Sequence, residues 1–338
     1  MDVNKLLQDA LAAGASDIHI EPLDDAVRIR WRRDGVLCQA GTLHKGGLEK
    51  LVSRIKVLAG LDIANRRLPQ DGRIVWKDGE RRLDLRVSTL PTVRGEKVVI
   101  RILDGQRIPL ALSALGMDDQ VRRCLEKLIR CRQGLILICG PTGSGKTTAL
   151  WRILQAINER RPCHIVTLED PIEYVEAGKA ALITQRELGT HFATFAEGIR
   201  QALRQDPDVI LIGEMRDRAA MDAALTAAET GHFVLSTLHT PSAAQAVSRL
   251  AGAYSGEAQQ EVRCRLAMVL QAILAQRRLE RQGRIDIVRE VLVRTPAVVQ
   301  LIRSGKEYQL PTVMQTGAAL GMRTMEQALR RCGEGGTS

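Results

Sequence analysis

Residues 140–148 read GPTGSGKTT, directly after the apolar run GLILIC and before a segment that places Leu150, Ile153, Leu154 and Ile157 at helical spacing. A turn of the form G-x-x-x-x-G-K-[ST] between strand and helix constrains this chain more than any other feature, because its mechanical use is to cradle phosphate. Gly140, Gly143 and Gly145 let the backbone turn tightly, so that its N–H groups point at phosphate oxygens. Gly140, Pro141, Thr142, Gly143, Ser144, Gly145, Lys146, Thr147 and Thr148 are therefore the expected nucleotide cradle. Within it Lys146 reaches the β- and γ-phosphates and the Thr147 hydroxyl joins a magnesium shell. The helix that follows aims its positive N-terminus at the anion. ATP and Mg2+ are the expected ligands.

The runs HIVTLED, DVILIG and HFVLSTLH repeat the pattern of a short, nearly continuous apolar strand, and helical stretches separate them. Such strands belong to a parallel sheet covered on both faces. The alanine-rich helix over 218–230 stops at Gly231, and after about Pro241 the chain reads as mainly helical. The strand VILI ends in Gly213 and Glu214, where a magnesium-organising strand usually carries aspartate. Glutamate reaches about one methylene further and suits contact with magnesium through a bound water. The segment TLEDPIEY adds Glu169, Asp170 and Glu173 at another strand's carboxyl end, where open α/β sheets bind ligands. Attack on a γ-phosphate needs an oriented water, which one of these carboxylates can supply.

The first hundred residues have a different texture. An amphipathic helix precedes SDIHIEP, AVRIRWRRDG, GRIVWKDG, RRLDLRVSTL and EKVVIRIL, all short alternating segments. Hairpin-like turns are expected at Asp34-Gly35, Asp71-Gly72 and Asp78-Gly79, and LEKLVSRIKVLAGL reads as a helix ending near Gly60. This is an α+β module. Asp17, His19 and Glu21 share one face of their strand and read as its polar outer side.

The totals add exclusions. No run of about 18 apolar residues occurs, and the N-terminus lacks an export signal, so a cytoplasmic location is expected. Seven scattered cysteines with no C-x-x-C pair argue against a disulfide framework or a zinc site. The net charge of +10 is spread along the chain, and with 3% aromatic residues little is left for stacking bases, so nucleic acid is not an expected partner.

Taken together, GPTGSGKTT, TLEDPIEY, LRQDPDVILIGEMRD and AAETGHFVLSTLHT resemble, in order and spacing, the four nucleotide-site boxes of the secretion ATPases. That superfamily powers type II secretion, type IV pili and type IV secretion. ASDIHIEP, AGLDIANRRLPQDGRI and LRVSTLPTVRGEKVVIRILD are similar to its N-terminal domain. The resemblance implies a RecA-like α/β P-loop ATPase domain over 110–338 with a helical C-terminal part, a linker over 104–109, and a smaller α+β, PAS-like domain over 1–103. It implies an Mg-dependent ATP hydrolase acting as a homohexamer on an inner-membrane platform protein, cytoplasmic and peripheral at that membrane. Glu173 would polarise the attacking water, with Glu169 and Asp170 as alternatives. Glu214 would hold magnesium, partly through water. His239, beside Thr237 and Thr240, would sense the γ-phosphate. Arg86 or Arg101, ahead of Arg94, would reach phosphate from the N-terminal domain, because a planar guanidinium neutralises spread phosphoryl charge.

Two directions compete within the family. The first half looks like the assembly or type II secretion ATPases, whose zinc insert and extra domain are absent from this sequence. The tail from Arg284 looks like the pilus retraction ATPases, although Gln300 and Ser304 depart from their pattern. Retraction is the expected activity. The alternatives from other classes are a nucleotide-gated scaffold with little turnover and a nucleic-acid translocase.

Overall fold

The computed structural model describes residues 2–33, 35–78, 81–103, 119–281 and 284–334. Its contacts divide the chain into two compact units, Met1–Arg107 and Ile108–Ser338. The expected linker at 104–109 and the turn residues Asp34 and Gly79 lie outside the described residues.

The first unit holds α1 (Val3–Ala12), β1 (Asp17–Pro22), β2 (Ala26–Arg33), β3 (Val36–His44), α2 (Leu48–Ala59), β4 (Gln70–Asp78), β5 (Arg81–Thr92) and β6 (Gly95–Leu103). The strands form one antiparallel sheet in the order β3-β2-β1-β6-β5-β4. Alternation decides which face is buried. Ile18 and Ile20 of β1 pack with Val27, Ile29, Leu85 and Ile100 against Leu6 and Leu7 of α1 and Ile55 of α2. The intervening residues make the other face. There Arg73, Arg86, Arg101, Asp17 and Arg32 stand side by side across five strands, by register. Helix α2 stops at Gly60, whose φ of +68° makes a left-handed cap.

The expected turn at Asp71-Gly72 is not a turn. Gly72 pairs with Val87 inside β4. A Cβ there would lie 2.5 Å from the Ala59 carbonyl oxygen, so this glycine lets the end of α2 press against the strand.

The second unit contains α3 (Asp119–Leu128), β7 (Gly134–Cys139), α4 (Lys146–Asn158), β8 (His164–Glu169), β9 (Leu182–Glu187), α5 (Phe195–Ala202), β10 (Val209–Ile212), α6 (Arg218–Glu229) and β11 (Phe233–Leu238). It continues through α7 (Ala243–Ala251), α8 (Glu257–Val269), β12 (Leu270–Arg281), β13 (Arg284–Val293), α9 (Pro296–Arg303), α10 (Leu310–Thr316) and α11 (Met325–Glu334). Its seven-stranded sheet has the order β13-β12-β7-β11-β10-β8-β9 and is parallel except at β13. Both faces are covered. Leu135, Leu137 and Cys139 of β7 enter the core beneath α5, α6 and α8, while Ile136 and Ile138 enter the core beneath α3 and α4. That two-sided burial is why the strand carries no polar residue.

Beyond Pro241 the chain is mainly helical as expected, in α7 to α11, with one departure from that reading. A long antiparallel hairpin, β12 with β13, extends the sheet on the β7 side. Glu290 of β13 is buried and accepts from Ala243 N at 2.6 Å and Met325 N at 3.0 Å, so one carboxylate caps the starts of α7 and α11.

Candidate nucleotide site

The loop between β7 and α4 has the conformation its glycines permit. Gly140 has φ +146°, and a Cβ on it would meet the Gln276 carbonyl oxygen at 2.4 Å and Ser144 Oγ at 2.5 Å. Gly145, with φ +82°, is the left-handed residue from which α4 starts. Lys146 Nζ donates to the carbonyls of Gly140 at 2.8 Å and Pro141 at 3.0 Å, fastening the loop into a ring. Burial holds the Lys146 ammonium below its ordinary pKa, and Cys139 and Glu214 act in the opposite direction. Thr147 lies half-buried in the first turn of α4.

The strand ends beside this loop carry the acidic residues. Gly213 N donates to the Leu168 carbonyl at 2.7 Å, Thr237 Oγ1 donates to the Gly213 carbonyl at 2.6 Å, and Met215 N donates to the Thr237 carbonyl at 3.3 Å. The segment carrying Glu214 is thereby strapped between β8 and β11. His239 Nε2 lies 3.3 Å from Glu214 Oε2, while Glu214 Oε1 pairs with Arg216. Arg216 also reaches Asp170 Oδ2 at 3.1 Å. Three of the quoted segments thus meet in one chain of side chains: Asp170, Arg216, Glu214, His239. Hydrogen bonding to Glu214 raises the Arg216 pKa, with the charges of Glu214 and Asp170 adding to it. Sequence reasoning passed over Arg216; the available signal was a cation two residues beyond a carboxylate at a strand end.

The other carboxylates separate by environment. Glu169 is 3% exposed and accepts from Thr167 Oγ1 at 2.6 Å and Gln185 Nε2 at 3.2 Å. Burial pushes its carboxyl up to about 7, and the charge of Glu173 adds to the rise. Glu173 is half-buried in the segment between β8 and β9, and Asp170 is exposed.

In the first unit, Arg86 and Arg101 face each other across β5 and β6 on the polar side of the sheet. Arg101 Nε binds Asp17 Oδ1 at 3.0 Å. Arg94 sits apart in the turn between these strands, where its Nε binds Asp24 at 2.8 Å. Register therefore brings two of the three candidate arginines together and leaves the third elsewhere. Glu21 is taken up by Arg30 at 2.6 Å. Among the described residues no group of three His, Cys, Asp or Glu could hold a metal on its own. The donors present fit a magnesium ion brought with a nucleotide: a hydroxyl at Thr147, a carboxylate at Glu214, and a loop whose first glycine leaves no room for a side chain.

A parallel sheet carrying this loop between strand and helix defines a P-loop ATPase fold. The chain belongs to the type II/IV secretion system protein family, whose model matches residues 1–284. It is 47% identical over 249 residues to type II secretion system protein E of Pseudomonas aeruginosa and 49% identical over 249 residues to that of Pectobacterium carotovorum. These alignments cover 73% of this chain and 49% of each relative, so the chain spans about half the length of the curated relatives it matches. Among solved structures it is similar to the pilus retraction motor PilT with bound ADP, with TM-score 0.83 and 33% identity over 99% of this chain and 94% of that one. It is also similar to the ATPase DotB of Legionella pneumophila, with TM-score 0.82 and 25% identity, covering 98% and 91%. Among the described residues no helix is long and apolar enough to cross a membrane.

Proposed function

We propose that this chain is an Mg-dependent ATPase, active as a homohexamer, whose domain movements drive a type IV pilus, most specifically its retraction. The observation that carries this reading is the continuous run Asp170, Arg216, Glu214, His239 at the strand ends beside the phosphate loop. Lys146 would neutralise β- and γ-phosphate charge, while Thr147 and Glu214 would hold magnesium, the latter partly through water. Bound magnesium supplies charge compensation to the transferring phosphoryl group. Glu173 would polarise the attacking water; its half-exposed position leaves it freer to meet water than buried Glu169. His239 would report the γ-phosphate to Glu214 through their shared contact. Arg86 and Arg101 would approach the phosphates when the domain over 1–103 closes on that over 110–338.

The retraction reading draws support from the near-complete coverage shared with PilT. Assembly or secretion is the second reading, favoured by the higher identity to type II secretion proteins over a shorter stretch. In either case the partner would be an inner-membrane platform protein, with this chain at its cytoplasmic face. Two measurements test the proposal. Purified protein should hydrolyse ATP, and Glu173→Gln should bind ATP while losing about 10²-fold or more in turnover; unchanged turnover would reject Glu173. Cells lacking the gene should carry excess filaments if the motor retracts them, and bare surfaces would establish assembly.

A further inference from the structure

The β12-β13 hairpin brings to the phosphate loop a residue that the loop's own motif does not contain. Ala275 pairs with Cys139, the last residue of β7, so Gln276 comes level with Gly140. The position of a Gly140 Cβ is shared by the Gln276 carbonyl oxygen at 2.4 Å and Ser144 Oγ at 2.5 Å, which puts both residues against the same glycine. Both are 1% exposed. Neither Oε1 nor Nε2 of Gln276 has a hydrogen-bond partner, and neither has Ser144 Oγ. Alternation sends Ile273 and Ala275 into the core beneath α6, and Ala272 and Leu274 into the core beneath α4. Gln276, two residues beyond Leu274, continues the α4 side, where the loop turns into its helix.

A primary carboxamide can donate twice and accept twice, and burying it with none of these satisfied opposes folding. A strand position that needed only bulk would be filled at lower cost by leucine or methionine. Orphaned polar groups at a site of this kind mark partners supplied in another state of the site.

We propose that Gln276 is a positioning residue for the phosphate loop, its carboxamide pairing with the Ser144 hydroxyl when the loop closes on a phosphate. Ser144 Oγ–H donates to Gln276 Oε1, and that bond fixes the peptide units of Ser144 and Gly145, from which α4 starts. The inference rests on the reading of the chain as nucleotide-binding.

The test is a double-mutant cycle on the full chain, with ADP and Mg2+ as the titrated probe and thermal unfolding measured alongside. Gln276→Leu should keep or raise Tm, since an apolar isostere removes an unsatisfied group. It should weaken ADP affinity about threefold to tenfold, the loss of one hydrogen bond. Ser144→Ala should weaken affinity comparably, and the double variant should be no weaker than either single. The proposal is overturned if Gln276→Leu lowers Tm while affinity holds, or if the two losses multiply in the double variant. Gln276→Met, equal in length, guards against misfolding; failure of both variants to fold would make the carboxamide structural and overturn the proposal. Wild-type protein that does not bind ADP would overturn the nucleotide reading and this inference together, whereas wild-type binding with an unaffected Gln276→Leu overturns this inference alone.

Discussion

His239 Nε2 lies 3.3 Å from Glu214 Oε2, so the ends of β10 and β11 share one carboxylate. With Arg216 on its other oxygen, Glu214 has a neighbour at each end of its carboxylate. A preorganised carboxylate spends no reorganisation energy on meeting a cation. Glu214→Gln should fold normally, lower turnover by about 10²-fold, and raise the Mg2+ concentration needed for half-maximal ADP affinity. A Mg2+ titration indistinguishable from wild type would remove Glu214 from the metal shell.

Glu169 makes stability depend on pH. Its folded-state pKa of about 7 lies above the ordinary value of 4.5 because burial disfavours the charged carboxylate. The neutral acid is the form the fold prefers, so its contribution is full below about pH 4.5 and is lost as pH rises through 7. Glu169→Gln, which still accepts from Thr167 and Gln185, should match wild-type Tm at pH 5 and exceed it at pH 8. The difference is bounded by about 3 kcal/mol. Equal differences at the two pH values would show that Glu169 does not titrate in this range.

Two glycines of one loop should respond differently to alanine. At Gly140 a Cβ would strike a backbone oxygen at 2.4 Å, whereas at Gly143 nothing lies within 4 Å and only the φ of +77° resists. Gly143→Ala should cost about 1–2 kcal/mol of stability. Gly140→Ala should cost more and abolish ADP binding as well, because the loop must move to admit the methyl. Comparable ADP affinities for the two variants would contradict the packing around Gly140.

Glu290 joins two helices that no local pattern connects. Glu290→Ala would leave the buried N–H of Ala243 and the half-buried N–H of Met325 without their acceptor, at about 2–4 kcal/mol. Hydrogen exchange should quicken at the starts of α7 and α11 together. Exchange that quickens at one helix alone would show that the caps are independent.

The parts of this fold legible in the sequence are those where one physical requirement dominates. β7, β8, β10 and β11 are buried on both sides, so apolar runs with no alternation give them away, and α2 shows its stripe and its terminal glycine. The hairpin was hidden because Arg277, Arg278, Glu280 and Arg289 suit a helix as well as a strand, and only pairing with β7 makes β12 extended. β3 was missed because most of its residues are partly or fully exposed, leaving little alternation to read. Gly72 resembles a turn residue until the tip of α2 is seen lying against it. The phosphate loop is readable as a motif. What surrounds it, Arg216 and Gln276 above all, comes from strand ends and a neighbouring strand far along the chain, and only the sheet order brings them close.

β7 carries one further consequence. Its residues enter two cores in turn, Leu137 on one side and Ile138 on the other, and the phosphate loop grows from its end. Neither face of the sheet can therefore drift in volume without shifting the root of that loop. Substitutions beneath α6 and beneath α4 become each other's genetic background, and the helices on opposite sides of the sheet must evolve as partners although they never touch the same side chain of β7.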